Sequence, residues 1–316
     1  MTLRPARGAP PFAGILRLLL IGVCLLLAGQ ALAARIAVVL SEDSLPYQEA
    51  YQGFRSQLDP SPHGFYPVYA DSVSAASFHG ANLVVTVGVR AVEAVAALPI
   101  RTPVLAAMVP RAWFLSAGRT LLAEGGRRDV SAVYIDQPFE RQAALIRLAL
   151  PDARRVGVVL SAAQAGLVGE LDAALRAHGL GLVPAILPDE GRLLPTLEGV
   201  LPDVDVLLAV ADPQVFNRST AQSAFLTTYR YRVPVVGYSR SMTRAGAMLS
   251  LHASPEQIGR QAAEAVIAAV QGTAVRLPAP AYPVYFSVSV NDKVGRSLGY
   301  ALPAEAELEK RMGVRP

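Results

Sequence analysis

The chain has 316 residues, of which 52% are hydrophobic, and a formal net charge of +4. Residues 1–33 carry three arginines and no acid, so removing them lowers the formal charge from +4 to +1. No long run of Lys or Arg follows this segment. The composition therefore argues against a nucleic-acid partner, whose phosphates such runs contact.

The N-terminal segment, residues 1–33, has the layout of a secretory signal peptide. A start rich in arginine precedes a short apolar core at residues 18–29, and a small-x-small cleavage site ends at Ala33. An uncleaved membrane anchor is the alternative, but this core is shorter than the ~20 residues that a spanning helix needs. We expect cleavage after Ala33 and a periplasmic protein. The only cysteine, Cys24, lies in this segment, so we expect no disulfide and no thiol chemistry afterwards.

Segments of the first half recur in the second half about 120 residues later. Residues 35–41 read RIAVVLS and residues 155–161 read RVGVVLS, and each copy leads into a helical stretch and further apolar runs. The later pairs of similar runs are residues 82–88 with 205–211, and 103–106 with 234–237. A repeated βαβαβα order indicates two similar α/β lobes. The cleft between them, facing the strand ends, is where such sheets bind ligands.

Lobe one is predicted to span residues 34–135 and to be completed by about residues 254–280. Apolar side chains recur at spacings of four, three and four from Tyr47 to Leu58, which predicts a helix over residues 45–58. The strands predicted for this lobe are residues 35–41, 65–69, 83–87, 104–108 and 130–135. We interpret the last strand and the Asp-Gln-Pro break after it as the crossover between lobes.

Lobe two is predicted to span residues 136–253 and to be completed by about residues 281–316. Its predicted helices are residues 139–150, 167–178 and 217–232, the last with Asn217 as N-cap. Its predicted strands are residues 182–187, 206–210, 235–238, 248–251 and 286–290. Ser254 followed by Pro255 opens a further helix that returns to lobe one. Strands alternating with helices predict an α/β fold of two Rossmann-like lobes with parallel sheets, joined by crossover hinge strands.

Catalytic and cofactor motifs are absent from the sequence. There is no G-x-G-x-x-G and no G-x-x-x-x-G-K-[ST], so dinucleotide and P-loop binding lack their glycines. A hydrolase acting through Ser239 is an alternative, because residues 237–241 lie between a strand and a helix. The elbow glycine is replaced by Ser241, and no acid stands between Ser239 and His252 to orient a histidine. The four histidines are isolated, so we expect a protein that is not an enzyme and has no cofactor and no metal.

The candidate ligand contacts follow the carboxyl ends of the paired strands, where free backbone N–H groups and helix ends suit an anion. Ser41 and Ser161 stand at equivalent positions and can give hydroxyls from opposite walls, with helix capping as the alternative. Phe216 and Tyr238 can stack on a flat ligand or pack the lobe. The full predicted set is Ser41, Asp43, Gly88, Arg90, Met108, Tyr134, Ser161, Ala162, Asp212, Phe216, Asn217, Tyr238, Ser239 and Arg240.

Two arginines dominate the predicted charge of the cleft. Arg90 and Arg240 each follow a strand, where a guanidinium can hold a carboxylate through two hydrogen bonds. The alternative is that they pair with Glu42, Asp43 or Asp212 across the cleft. The equivalent loops also differ, since acids follow Ser41 whereas alanines follow the matching serine of lobe two. An asymmetric ligand is therefore favoured.

The order of segments in the second half resembles the type I periplasmic substrate-binding proteins of ABC transporters, in the branch that includes tryptophan- and tyrosine-binding proteins. The segments that carry the resemblance are residues 207–212, 217–232, 233–237, 246–263 and 290–303. The resemblance implies two lobes that close on a small molecule by hinge motion and deliver it to an ABC permease or another inner-membrane partner.

The chain departs from this family at two strand ends. Tyr238-Ser239-Arg240 replaces the acidic or small hydroxyl residue of related amino-acid binders, and Arg90 replaces a small residue. Arginines at both places would repel an α-amino group, so an anionic or carboxylated ligand without a free amine fits better. The alternative is that Glu42, Asp43 or Asp212 pairs with an amine. A binding-protein fold retained as a sensor or protein-interaction module, docking to a membrane partner without transport, is the alternative function and predicts a filled or distorted cleft.

Overall fold

A computed structural model describes residues 33–124, 128–217, 219–272 and 274–314. The predicted signal peptide, apart from its last residue, lies outside these ranges, as does the middle of the predicted loop at residues 124–128. Within these ranges no helix is both long and apolar enough to cross a membrane.

The first sheet has five parallel strands and belongs to lobe one. They are β1 (Arg35–Leu40), β2 (Gly64–Tyr69), β3 (Leu83–Val87), β4 (Val104–Val109) and β5 (Val130–Tyr134). Their spatial order is β2-β1-β3-β4-β5. All five residues of β3 are buried, as expected for a central parallel strand covered by helices on both faces.

The second sheet has six strands and belongs to lobe two. They are β6 (Arg155–Ser161), β7 (Gly181–Leu187), β8 (Val206–Leu208), β9 (Val235–Gly237), β10 (Leu249–His252) and β11 (Ser287–Val290). Their order is β11-β10-β9-β8-β6-β7, and only β11 runs antiparallel to its neighbour among these strands. The chain returns from lobe one at the carboxyl end of β10, where Ser287 pairs with His252, and so enters β11 in the opposite direction.

Eleven helices are described, and most of them cover the two sheets. They are α1 (Leu45–Leu58), α2 (Val89–Ala96), α3 (Arg111–Trp113, a π-helical stretch Phe114–Gly118, and Arg119–Glu124), α4 (Phe139–Ala149), α5 (Val168–Ala177), α6 (Leu193–Val200), α7 (Ala221–Arg230), α8 (Arg240–Ala245), α9 (Pro255–Ala269), α10 (Asp292–Leu298) and α11 (Glu305–Arg311). The predicted α/β architecture of two mostly parallel sheets is therefore confirmed.

One predicted helix begins later than expected. The pattern predicted a helix from Asn217, but α7 begins at Ala221. The reason is local: Asn217 Oδ1 accepts hydrogen bonds from the backbone N–H of Ser219 at 2.9 Å and of Thr220 at 3.1 Å. An asparagine side chain that bonds its own following backbone favours a turn over a helix.

Helix α9 packs directly on α1, which ties the late part of the chain to lobe one. Two glycines allow this contact. A Cβ at Gly53 would lie 2.2 Å from the Glu256 carbonyl oxygen, and a Cβ at Gly259 would lie 1.9 Å from the Ala50 carbonyl oxygen. Only glycine permits backbones to approach this closely. The same part of the chain then returns along β5, where Tyr134 N–H donates to Ala281 O at 3.0 Å.

Gly259→Ala is expected to destabilise the protein, because its methyl group would meet the backbone of α1 rather than a side chain that can move. We expect a loss of about 1–3 kcal/mol in the free energy of unfolding, measured by urea denaturation. The control is Gly199→Ala on α6, where a Cβ meets nothing within 4 Å. It should be neutral or stabilising by up to about 1 kcal/mol. Equal effects of the two substitutions would contradict the proposed contact.

Candidate functional site

A cavity of about 970 Å³ lies between the lobes, at the carboxyl ends of both sheets. This volume is at the upper end of the range for small-molecule sites. Its walls in lobe one are the start of α1 and the end of β4. Those in lobe two are the loops after β6, β8 and β9 together with α8, β11 and α11, and the segments that cross between the lobes after β5 and β10 also line it. The topology therefore gathers strand ends from both sheets around one space.

The wall from lobe one is mostly apolar. Its apolar members are Leu45, Pro46, Met108, Pro110, Ala112 and, at the crossover, Ile135 and Ala253. Leu45 is 70% exposed at the first residue of α1, and Ile135 is 37% exposed. Glu49 and Glu256 add carboxylates at this side. The wall offers apolar surface that burial of a ligand would remove from water.

Met108 occupies an unusual backbone position in this wall. Its φ of +55° lies in the left-handed region, which non-glycine residues seldom adopt. The pairing of β4 with β5 shifts register between Ala107 and Val109, which leaves Met108 unpaired in the ladder. Bulges of this kind re-aim a side chain next to a site. Met108 lines the cavity, as predicted for the end of this strand.

The wall from lobe two carries two arginines, two glutamates (Glu305 and Glu309) and several hydroxyls. Arg240 and Arg244 both line the cavity, one turn apart on α8. Neither arginine forms an ion pair with any residue in the described ranges. Ser239 caps α8, since its Oγ accepts a hydrogen bond from Met242 N–H at 3.3 Å. Unpaired guanidinium groups beside a cavity attract an anionic group.

His252 lies against the same wall and is buried. Burial, followed by the charges of Arg240 and Arg244, lowers its pKa to about 4. Its Nε2 lies 2.9 Å from the Ser289 hydroxyl. The imidazole is therefore neutral at pH 7, and the positive charge of this wall comes from the two arginines.

The crossover end of the cavity is built around Arg111. Its backbone N–H donates to Asp136 Oδ2 at 2.5 Å, and its Nη1 donates to Glu170 Oε2 of lobe two at 2.9 Å. Its guanidinium also lies 5.6 Å from the Tyr282 ring centroid. Burial raises the pKa of Asp136, and it raises the pKa of Tyr282 to about 12. Arg111 thus links both lobes and the crossing segments.

Five predicted site residues line this cavity: Met108, Phe216, Tyr238, Ser239 and Arg240. Phe216 also packs the interior of lobe two, where its ring stacks on Phe225 with a centroid separation of 6.5 Å. The Tyr238 hydroxyl donates to the Phe216 carbonyl oxygen at 3.3 Å. The contacts of these aromatic residues show that they pack the lobe, and stacking on a flat ligand stays a prediction.

Neither of the two equivalent serines, Ser41 and Ser161, is among the residues that line the cavity. Ser41 is buried, its Oγ donates to Val87 O at 2.8 Å, and it accepts from Ala91 N–H at 3.0 Å. The Ser161 backbone N–H donates to Asp212 Oδ2 at 2.8 Å, which ties two strand ends together. The structure places both serines, and Asp212, in the internal hydrogen bonding of their own lobes. Helix capping is the role that the contacts of Ser41 show.

Arg90 and Asp43 lie outside the cavity lining. Arg90 forms an ion pair with Asp71, in which both side chains are more than half exposed, so its guanidinium is directed to the surface of lobe one. The sequence had offered other acids as partners. Asp43 Oδ1 accepts from Gln48 Nε2 at 2.7 Å on the first turn of α1. Arg90 and Asp43 are therefore each paired with a neighbouring side chain on the surface of lobe one.

The four remaining predicted residues, Gly88, Tyr134, Ala162 and Asn217, lie in turns or in packed regions away from the cavity lining. Gly88 has a φ of +89°, and a Cβ there would lie 2.5 Å from the Ser41 hydroxyl. Tyr134 packs edge-on against Phe114 and Tyr282. Ala162 begins a 3₁₀ turn after β6, and Asn217 forms the turn before α7. None of these residues is among those that line the cavity.

Sequence reasoning missed several cavity residues. They are Arg111, Asp136, Gln137, Arg244 and His252. Some signal existed: Asp136 and Gln137 directly follow β5, and Arg244 stands four residues after Arg240 on one helix face. Arg111 and His252 also stand at strand ends, two residues after β4 and at the last residue of β10, so the rule that selected the other candidates applies to them as well.

The model of the family "ABC transporter substrate binding protein" matches residues 73–304. The chain belongs to this family. A comparison with curated proteins gave no match.

Solved structures share the fold of this substrate-binding protein. A conserved domain protein from Vibrio cholerae is 20% identical, covering 88% of this chain and 98% of its own, with a TM-score of 0.61. An ABC domain in complex with L-Trp from Streptococcus pneumoniae is 17% identical, covering 88% and 98%, with a TM-score of 0.59. A ligand-free, open substrate-binding protein with adhesive properties from Clostridium difficile is 15% identical, covering 86% and 97%, with a TM-score of 0.67. The predicted type I periplasmic-binding fold is therefore confirmed.

The low pKa of His252 predicts that acid destabilises this substrate-binding protein. The folded pKa of about 4 lies below the ordinary value of 6.5, so the unfolded state binds more protons between these pH values. The stability due to neutral His252 is complete above pH 6.5 and is lost as the pH falls towards 4. We expect it to account for about 2–3 kcal/mol of the difference in unfolding free energy between pH 7 and pH 4.5.

His252→Gln, which can still hydrogen-bond the Ser289 hydroxyl, should remove this part of the difference. Urea denaturation at both pH values measures it. His79→Gln, at an exposed position before β3, is the control and should keep the wild-type pH dependence. An unchanged dependence in His252→Gln would contradict the assignment.

Proposed function

We propose that this protein is a periplasmic solute-binding protein of an ABC-type uptake system, which binds a small carboxylated molecule by closing its lobes and catalyses no reaction. The observation that carries the proposal is the pair Arg240 and Arg244, which line the interlobe cavity without an ion-pair partner in the described ranges. A carboxylate between them would supply the missing charge and accept their N–H groups.

The polarity of the cavity supports a carboxylate joined to an apolar or aromatic body. The lobe-one wall is apolar, and Phe139 and Tyr282 add aromatic surface. Two of the cavity acids have internal roles: Glu309 accepts from Val288 N–H at 3.0 Å and Glu305 from Val290 N–H at 3.3 Å, which pairs the outer edge of β11. The two unpaired arginines and most of the apolar side chains come from different lobes, so an asymmetric ligand fits.

The second candidate function, a sensor or protein-interaction module that docks to a membrane partner, predicts a filled or distorted cleft. A cavity of about 970 Å³ supports ligand binding instead. Copurification of a membrane protein, together with no response to any small molecule, would favour the second candidate.

A matched set of ligands tests the charge preference of the cavity. The set is 3-phenylpropionate, L-phenylalanine, 2-phenylethylamine and 3-phenylpropanol, which share an aromatic body and differ in charge. The protein is unfolded and refolded to remove bound molecules, and its melting temperature is measured with each compound and with a broader panel of amino acids, nucleosides and organic acids. We expect 3-phenylpropionate to raise the melting temperature and the amine to leave it unchanged. L-phenylalanine is included because the Streptococcus structure contains L-Trp.

The double variant Arg240→Gln, Arg244→Gln should abolish the response to 3-phenylpropionate, because both cations are lost. Arg192→Gln, on an exposed turn of lobe two outside the cavity, removes a charge elsewhere and should keep the response. If no compound of the panel shifts the melting temperature of the wild type, the solute-binding proposal fails. A larger shift with the amine than with the carboxylate would overturn the charge preference alone.

The ion pair between Arg111 and Glu170 joins the lobes, so we expect it to favour the closed arrangement. Both side chains are partly exposed, and such pairs contribute about 0.5–1 kcal/mol. Glu170→Gln should therefore weaken ligand affinity by about two- to fivefold and enlarge the radius of gyration of the ligand-free protein in small-angle X-ray scattering. Glu198→Gln, on exposed α6, is the control. No change in either quantity would remove this ion pair from the closing mechanism.

A further inference from the structure

Gln137 carries an unused hydrogen-bond donor at the crossover end of the cavity. It follows β5 and precedes α4, it lines the cavity, and it is only 5% exposed. Its side-chain nitrogen, Nε2, is buried and has no hydrogen-bond partner in the described part of the chain. Buried polar groups are almost always paired, so this exception requires an explanation.

The orientation of the Gln137 amide is fixed by Arg141. Gln137 Oε1 accepts a hydrogen bond from Arg141 Nη1 at 2.5 Å. Turning the amide over would place its NH₂ group against a guanidinium, and both are donors. Arg141 is itself held, because Nη1 also donates to Pro283 O at 2.9 Å and the guanidinium lies 4.1 Å from the Phe286 ring centroid. Nε2 is therefore the atom that stays without a partner.

The backbone of Gln137 is held as well. Its carbonyl oxygen accepts from Gln142 Nε2 at 2.9 Å. Gln142 is thus a buried glutamine whose nitrogen is paired, and Gln261 on α9 is another: its Nε2 donates to Tyr282 O at 3.1 Å and its Oε1 accepts from Val284 N–H at 2.7 Å. The fold satisfies buried glutamines elsewhere. At Gln137, by contrast, the fold fixes the side-chain nitrogen beside the cavity and gives that nitrogen no hydrogen-bond partner in the described ranges.

The neighbour of Gln137 limits what can occupy this end of the cavity. The Asp136 carboxyl lines the cavity one residue away. A second carboxylate would be repelled there, whereas a hydroxyl can accept from the amide and donate to the carboxyl.

We propose that Gln137 Nε2 donates a hydrogen bond to the ligand, and that the ligands of this protein are carboxylates with a second, uncharged oxygen, of which a hydroxyl fits best. This inference rests on the proposed function, because it assigns a further contact in the same cavity. Leaving the donor unpaired costs stability in the empty protein, and a ligand oxygen removes that cost only when the ligand carries it. Gln137 is therefore a specificity-determining residue.

The test compares two probes of equal charge and similar shape, 3-(4-acetylphenyl)propionate, whose ketone oxygen only accepts hydrogen bonds, and 3-(4-isopropylphenyl)propionate, which lacks that oxygen. Their dissociation constants are measured by titration calorimetry on the refolded full chain and on Gln137→Glu, which keeps an acceptor for Arg141 and replaces the donor. We expect the wild type to bind the ketone probe at least tenfold more tightly and the variant to lose this preference. The ratio of the two constants cancels any repulsion of the shared carboxylate by the new charge.

Two controls separate ligand contact from a structural role. Gln222→Glu adds the same charge on exposed α7 and should preserve the ratio. Gln261→Glu places an acceptor against Tyr282 O and should lower the melting temperature of the ligand-free protein. Gln137→Glu should lower it less, because its nitrogen has no partner to lose and Arg141 can pair with the new carboxylate.

The inference is overturned if Gln137→Glu keeps the wild-type ratio, or if it lowers the ligand-free melting temperature as much as Gln261→Glu does. It is also overturned if the wild type binds neither probe. In that case a response to another compound of the broader panel leaves the solute-binding function standing.

Discussion

The contact between α1 and α9 is the constraint on which the ligand site depends. Gly53 and Gly259 let two helix backbones touch, so a helix that begins directly after a strand of lobe two is fixed to lobe one. The chain between β10 and α9 is therefore held at both ends, and Ala253 to Glu256 line the cavity. Without this close approach the crossing segment would have no fixed position, and the two cavity walls would not face each other in one arrangement.

The electrostatics of the cavity follow from where the crossings place charge. In lobe two, burial keeps His252 neutral, so Arg240 and Arg244 are the cations of the wall, and its acids, Glu305 and Glu309, accept hydrogen bonds from the backbone of β11. At the crossover, Arg111 is engaged by Glu170 and by the ring of Tyr282. One arginine is thus used to connect the lobes, and two remain for a ligand. Arginine suits both tasks, because its planar group can hold a carboxylate and stack on an aromatic ring.

The repeat in the sequence predicted the two sheets and the cleft, since strands of similar apolar pattern form similar sheets. It did not predict how equivalent residues are used. Ser41 caps within lobe one, and Ser161 is bonded through its backbone to Asp212. Arg90 pairs with Asp71, a residue on another loop of its lobe. These pairings depend on which side chains come within hydrogen-bond distance in the folded protein. The spacing of strands along the sequence does not predict those distances. Gln137 was missed because it is notable only in the folded protein, where its Nε2 is buried without a hydrogen-bond partner in the described ranges.

The site combines features that are unfavourable in the empty protein. Met108 adopts a left-handed backbone conformation, Gln137 buries a donor without a partner, and two neighbouring arginines repel each other. All three features lie at the same cavity, and under the proposed function a carboxylate would relieve the arginines and a ligand oxygen would pair with Gln137. Such features also occur away from the cavity: Arg232 has a φ of +59°, and Thr86, Arg128 and Ser131 each bury a polar side-chain atom without a partner in the described ranges. The features at the cavity differ in one respect, because a bound molecule can reach them, and for that reason they support the proposed function.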